Sequence, residues 1–367
     1  MKKMKIAKVL VLAAVSMSIL FTMGGCSSKN VNASNAGNNE KSIEEITAAA
    51  KKEGKVVSVG MPDSWADWKD TWDGIKSQYG ISHTDTDMSS AEEISKFLSE
   101  KNNPTADIGD VGINFGSIAI SKGVTQPYKT TYWNDVPSWA KDKDGNWVGE
   151  YTGTIAIITN KKLVKNPPKS WADLLNGDYK ISIGDVTKEA QAQSTVLAAA
   201  MANGGSETNI QPGLDYFAKI AKQGRLSMVK ADIANMQKGE VAVAIMWDFN
   251  ALGYRDKINK DDFDVCIPSD GSLMSAYVSI INKYAPDPNA AKLAREYILS
   301  DAGQINLAKG YARPIRSNVK LPDDVKTNML PDSQYSNVKN IKDYSAWEKT
   351  SAQLPQDWQE KVLINVK

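Results

Sequence analysis

Residues 152–159, Thr-Gly-Thr-Ile-Ala-Ile-Ile-Thr, constrain this chain more than any other stretch. The run is short, apolar, rich in β-branched residues and free of charge, and it follows a turn signal at Asp144-Gly145-Asn146. Such a run reads as a buried strand, because β-branched side chains pack well on a pleated surface and the stretch is too short for a buried helix. The chain before it reads as one α/β unit and the chain after it as another. The strand is therefore the first crossing between two lobes. Tyr151, Thr152 and Gly153 at its start combine a ring, a hydroxyl and an accessible backbone at the mouth of the cleft.

The alternation on either side supports this reading. Strands are expected at 55–60, 81–86, 106–111, 180–184, 241–246, 264–268 and 272–282, with helices between them. Strand alternating with helix predicts an α/β fold in which each lobe is a mostly parallel sheet with helices on both faces. Roughly 325 folded residues exceed one compact core, which again favours two lobes. The expected division is 42–150 with about 270–320 for the first lobe, 151–269 for the second, and 321–367 as a C-terminal extension. Ser64 and Asp67 are read as a capping box for a helix over 65–79, and Thr187 as the cap of a helix over 187–203. Trp65, Trp68 and Trp72 share one face of the former, a spacing more often core than ligand platform. Residues 127–147 read as an aromatic loop packed on the first lobe.

The N-terminus has the form of a secretory leader over 1–25. Lys2, Lys3, Lys5 and Lys8 precede an apolar run at 9–21 that is too short to span a bilayer comfortably. Met23-Gly24-Gly25-Cys26 resembles a bacterial lipoprotein cleavage box, with methionine where leucine is commoner, so Cys26 is the expected lipidation site. Residues 27–41 are rich in Ser, Asn, Ala and Gly and read as a flexible tether. A soluble body held near a membrane by a lipid follows. Removing the leader's four lysines leaves 40 basic against 43 acidic residues, and no basic block argues for a nucleic-acid partner. Beyond Cys26 the only cysteine is Cys266, on an apolar strand, where it reads as packing.

Catalytic and cofactor motifs are scarce. His83 is the only histidine and has no nucleophile motif nearby, so it reads as a packed or solvated side chain. Zinc-ligand spacing and phosphate-binding glycine loops are lacking, and no cofactor or metal is expected. Asp63, Asp110, Asp185 and Asp248 stand at or just after strand ends, where α/β sheets bind ligands. The same place suits helix caps, and about two of the four are expected to serve so. Asp248, between Trp247 and Phe249, is the favoured ligand contact. Arg313 and Arg316 flank Pro314, placed either to hold a carboxylate or phosphate or to form a structural ion pair.

Taken together, the leader, the tether, the two α/β lobes, residues 238–247 (Lys-Gly-Glu-Val-Ala-Val-Ala-Ile-Met-Trp) and residues 310–314 (Gly-Tyr-Ala-Arg-Pro) resemble a known family. It is that of the substrate-binding proteins of ATP-driven importers, in the group for ferric iron, polyamines, thiamine and phosphonates. The resemblance covers roughly 42–330 and implies the type II periplasmic-binding-protein fold. It implies a cleft lined by Asp63, Ser64, Trp65, Asp110, Asn114, Tyr151, Thr152, Gln191, Gln193, Ser194, Trp247 and Asp248, with Arg313 nearby. Trp247-Asp248-Phe249 stands where ferric binders of the group carry adjacent tyrosines, which speaks against unassisted iron binding. The function so implied is capture of a small polar solute by lobe closure and delivery to permease subunits, by a monomer. Carboxylates with aromatic walls favour an organic cation such as a polyamine or a thiamine-like compound. An anion or chelated iron is the alternative ligand, and a secreted carboxylate-based hydrolase the alternative class.

Overall fold

The computed structural model describes residues 41–366; the expected leader, most of the tether and Cys26 lie outside the described residues. The chain opens with α1 (Ile43–Glu53), β1 (Lys55–Val59), α2 (Trp68–Tyr79), β2 (Ser82–Thr86), α3 (Ser90–Ser99), β3 (Ile108–Gly112) and α4 (Ile113–Ser121). After an irregular aromatic stretch come β4 (Trp147–Asn160), α5 (Trp171–Asn176), β5 (Ile181–Ser182), α6 (Ala190–Ala202) and α7 (Gln211–Lys222). Next are β6 (Leu226–Ser227), α8 (Ile233–Lys238), β7 (Val243–Trp247), α9 (Asp248–Ile258) and β8 (Phe263–Cys266). β9 (Ser272–Ile281) leads into α10 (Pro288–Leu299), α11 (Asp301–Lys309), β10 (Arg313–Pro314), α12 (Asp323–Asn328), β11 (Val338–Asn340) and α13 (Tyr344–Lys361).

The strands form one hydrogen-bonded path in the order β2-β1-β3-β9-β4-β7-β5-β6, with β8 and β10 on β4 and β11 on β9. The expected crossing strand is β4. Its first part, from Trp147 to Thr154, pairs with β9, and its second, from Ile155 to Asn160, pairs with β7 and β8. It starts earlier than its apolar run, because pairing with β9 begins at Trp147, and Glu150 sits at a register shift. The outer strands of both halves are parallel, as expected, but β4 and β9 run antiparallel to each other and to β7 and β3, while β11 joins β9 in parallel. The sheet is thus mixed at its centre, where the chain passes from one half to the other.

Local capping differs from the sequence reading in two places. α2 starts at Trp68 instead of Trp65, and Asp67 makes no side-chain cap. Ala66 and Asp67 take left-handed φ values of 46° and 54°. The backbone of Gly310 lies so close that a Cβ there would stand 2.2 Å from the Ala66 carbonyl carbon. This packing holds Trp65 off the helix. At α6, Thr187 donates through its N–H and Oγ1 to Asp185 Oδ1, at 2.9 and 2.6 Å, so Asp185 closes a turn and the helix begins only at Ala190.

α6 is buried on nearly all sides, which explains its Ala-rich, non-amphipathic sequence. The C-terminal residues are built into the body: β11 extends the sheet, and α13 buries Trp347, Leu354 and Trp358 against α4 and α7. Cys266 is buried, with its thiol donating to the Pro168 carbonyl. His83 stacks on Trp72 with ring centroids 3.7 Å apart and bonds Ser58 Oγ; burial pulls its pKa to about 4.

Candidate ligand cleft

The carboxyl ends of β1, β3 and β5 open on a cavity of about 230 Å³. One wall comes from the turn after β1 (Gly60, Pro62, Ser64, Trp65), the start of α3 (Asp87 to Ser90, Glu92, Glu93) and Asp110 of β3. The facing wall comes from Ile183, Gly184, Lys188 to Gln191, Lys230, Ala231, Ile245 and Tyr254, and Tyr277 of β9 closes the floor. Strand ends leave room for side chains between diverging connections, the usual location of ligands in α/β sheets.

The walls touch through polar contacts. Lys188 Nζ lies 2.7 Å from Glu92 Oε1 and Lys230 Nζ 3.7 Å from Asp87 Oδ2. The Lys188 ammonium, helped by Ser89, holds Glu92 at a pKa of about 2. Asn114 Nδ2 donates to Gln193 Oε1 at 2.9 Å between α4 and α6. The cavity's lysines are therefore already paired with carboxylates on the opposite side.

Deeper in, Asp110 and Glu93 sit together, each 1% exposed. The Asp110 N–H donates to Glu93 Oε2 at 2.9 Å. The Tyr151 hydroxyl donates to Asp110 Oδ2 at 2.5 Å and accepts the indole N–H of Trp65 at 2.7 Å. Asp110 Oδ1 has no hydrogen-bond partner among the described residues. Burial raises both carboxyls well above the ordinary range, with mutual repulsion adding for Glu93 and the Glu150 charge adding for Asp110. Burial also raises Glu189 across the cavity. Tyr277 stacks on Tyr151 at 5.5 Å, and Trp65 meets Tyr277 and Phe249 edge-on at 5.5 and 5.4 Å.

Of the residues singled out in the sequence, Ser64, Trp65, Asp110 and Gln191 line the cavity. Tyr151 stands one hydrogen bond behind it, and Trp247 backs Tyr277 through an Nε1–hydroxyl contact of 3.3 Å. Gln191 Oε1 is used to accept from the Trp247 N–H and Asn250 Nδ2. Asn114 and Gln193 bond each other, while Thr152 and Ser194 are buried outside the lining. Asp63 is on the surface, and Asp185 sits in its own turn.

Asp248, the favoured contact, does not line the cavity. It starts α9 and accepts from the Thr154 and Phe249 N–H groups and the Tyr335 hydroxyl, at 2.9, 3.0 and 2.7 Å. Three donors satisfy its charge internally. Arg313 likewise lies outside the lining, over the Tyr335 ring at 4.1 Å. The sequence reading missed Glu93, Glu92, Lys188, Glu189, Lys230 and Tyr277. One signal for Glu93 was present: Ser90, Glu93, Ile94 and Phe97 share the buried face of α3, and a carboxylate at that spacing needs a reason.

Among the described residues no group of three His, Cys, Asp or Glu is arranged to hold a metal, and no helix is long and apolar enough to cross a membrane. A family model described as bacterial extracellular solute-binding protein matches residues 103–341. A Salmonella typhimurium periplasmic protein provisionally assigned to 2-aminoethylphosphonate binding is 23% identical over 316 residues, 77% of this chain and 86% of that protein. The periplasmic binding protein AfuA of Actinobacillus pleuropneumoniae, solved with fructose-6-phosphate, superposes with a TM-score of 0.69 at 18% identity, covering 84% of this chain and 98% of that one. A ferric binding protein from Campylobacter jejuni gives 0.62 at 20% identity, covering 83% and 98%. The two-lobed α/β fold, the cleft at the strand ends and the match over most of the folded body agree, and the chain belongs to the bacterial extracellular solute-binding proteins, components of ABC importers.

Proposed function

We propose that this protein captures a small amine-bearing solute by closure of its two lobes and hands it to an ABC permease, working from the membrane surface through a lipid on Cys26. The observation that carries the ligand class is Asp110 Oδ1, a buried carboxylate oxygen in the cavity wall without a hydrogen-bond partner among the described residues. Glu93 and Glu189 share the cavity with it, while Lys188 and Lys230 are paired with Glu92 and Asp87. A desolvated carboxylate is costly unless paired, so an ammonium supplies what the site lacks. Trp65 and Tyr277 add ring surface worth about 0.5 to 2 kcal/mol per cation contact.

A zwitterion is the specific form the surroundings favour. α6 begins at the cavity without a side-chain cap, and Lys188 stands beside its first residues. A helix N-terminus suits an anionic group through its free N–H groups, since Lys188 itself is held by Glu92. An aminoalkyl phosphonate, the class named for the Salmonella typhimurium relative, carries both charges.

A thermal-shift panel tests the ligand class. Diamines, aminoalkyl phosphonates, phosphonates without an amine, sulfate and dicarboxylates are compared at equal concentration. Amine-bearing compounds are expected to raise the Tm, with about 2.7 kcal/mol of added stability at a hundred times Kd. Asp110→Asn is expected to weaken them roughly a hundredfold, the cost of losing one charge-assisted hydrogen bond in a buried site. Stabilisation by amine-free anions alone, undiminished in Asp110→Asn, would overturn the reading.

The anchor has its own test. Cys26→Ala is expected to release the protein into the medium or leave it with an uncleaved leader. Normal processing with retention on the membrane would show that Cys26 carries no anchor.

A further inference from the structure

We propose that the Asp110–Glu93 pair is a proton-exchanging ammonium subsite: the empty cleft holds a proton there, and the ligand's ammonium displaces it. The inference rests on the amine reading above and adds to it how the site stays stable when empty and which group the ligand must present. It starts from geometry. Glu93 reaches the cavity between two glycines, Gly60 and Gly109, where an added Cβ would lie 2.4 and 2.5 Å from its carboxylate oxygens. The backbone is therefore shaped around this carboxylate. Glu93 is bound in turn to the Asp110 N–H, and Asp110 keeps one oxygen for the Tyr151 hydroxyl and one unpartnered.

The groups facing the pair come from every surrounding element, and they are acidic or neutral. β2 contributes Asp85, which is occupied by Ser58 Oγ and the Met61 N–H. The start of α3 contributes Asp87, β4 contributes Glu150 and Tyr151, and β9 contributes Tyr277. Glu189 lines the cavity from the start of α6, and the Trp68 indole N–H lies beside Asp110, outside ideal hydrogen-bond geometry, and lowers its pKa. The nearest cations are engaged elsewhere: Lys188 with Glu92, Lys230 with Asp87, and Arg295 with the carbonyls of Ser279, Tyr128 and Gly145. Two carboxyls linked through the Asp110 N–H, both buried and without a cation, cannot both be ionised. One proton on the pair removes one of the two charges in the empty cleft.

The exchange balances. An ammonium enters, donates an N–H to Asp110 Oδ1, and one proton leaves the pair for solvent; no other bond forms or breaks. Two consequences follow. The ligand must bring an N–H donor to Oδ1, so a quaternary ammonium, which has none, is disfavoured against a primary amine. Binding must also release close to one proton below the pKa of the pair, so affinity climbs close to tenfold per pH unit there.

Calorimetry on the full folded body tests this, with putrescine and 2-aminoethylphosphonate as probes. Titrations at several pH values between 5.5 and 7.5, in PIPES and in imidazole, give the protons released from the difference in heat, after subtraction of each probe's own ionisation. Release near one proton per amine bound, with affinity rising with pH, is the expected result. Glu93→Gln removes one of the acids around Asp110 while Glu150 stays beside it, and is expected to reduce the release and flatten the pH dependence in part. Tight binding with no proton release, or equal release in Glu93→Gln, overturns the exchange and leaves the amine reading standing. Failure of both amines to bind, where an amine-free anion does, overturns the amine reading and the exchange with it.

Discussion

Trp347→Ala is expected to lower stability by about 3 to 5 kcal/mol, the range for removing a fully buried indole. Trp347 is fully buried, and Leu354 and Trp358 of the same helix are buried with it. α13 lies against α4 from one half of the sheet and α7 from the other, and Trp358 meets Phe217 of α7 edge-on at 5.6 Å. The loss therefore falls on a helix that ties both halves together. Trp347 Nε1 has no hydrogen-bond partner among the described residues, so Trp347→Phe, which removes that N–H and keeps most of the ring, should cost far less. Urea unfolding of both variants checks this. A midpoint for Trp347→Ala close to that of the parent would mean that α13 is not part of the cooperative unit.

Arg295→Met is expected to cost a similar amount, about 3 to 5 kcal/mol, because it leaves the buried carbonyls of Ser279, Tyr128 and Gly145 without their donor and removes the cation that acts on Glu150. The guanidinium is fully buried and donates to the Ser279 hydroxyl and to the carbonyls of Ser279, Tyr128 and Gly145, at 2.9 to 3.3 Å. Glu150, also fully buried, has no hydrogen-bond partner for either carboxylate oxygen among the described residues. Burial pushes its pKa up to about 8, against the pull of the nearby Ser279 hydroxyl and of Arg295. The sign for stability follows from that direction. Between the pKa of an unfolded glutamate, about 4.3, and the folded value, the fold binds the proton more tightly, so stability falls as pH rises. His83, lowered to about 4, works the opposite way up to about pH 6.5. A decline should thus be plainest between pH 6.5 and 8, and Asp110 and Glu93 push in the same direction. Arg295→Met should extend the decline to higher pH, and adding Glu150→Gln should recover part of the loss. Unfolding midpoints across this pH range decide it; a double variant no better than the single one would show that the packing of Arg295, not its charge, is what matters.

The features legible in the sequence were those set by local pattern. The short β-branched run at 152–159 marked the crossing strand, because a fully buried strand needs that composition over that length. The alternation of strand and helix marked the α/β class, and Asp110 at a strand end marked the cavity wall. Tertiary structure decided which acid faces a ligand. Asp110 and Asp248 read alike in the sequence, but Asp110 lies within β3 and keeps an oxygen unpartnered, whereas Asp248 opens α9 and is taken up by Tyr335, 87 residues later in the chain. Trp65 was read as a helical residue and became a cavity wall because Gly310 packs against Ala66 and Asp67. Glu93 carried no mark in the sequence beyond its place on a helix, and only the approach of Gly60 and Gly109 shows that the fold makes room for its charge. A side chain's periodicity is written in its neighbours along the chain, whereas the solvation and partners of a carboxylate are set by residues that only folding brings near.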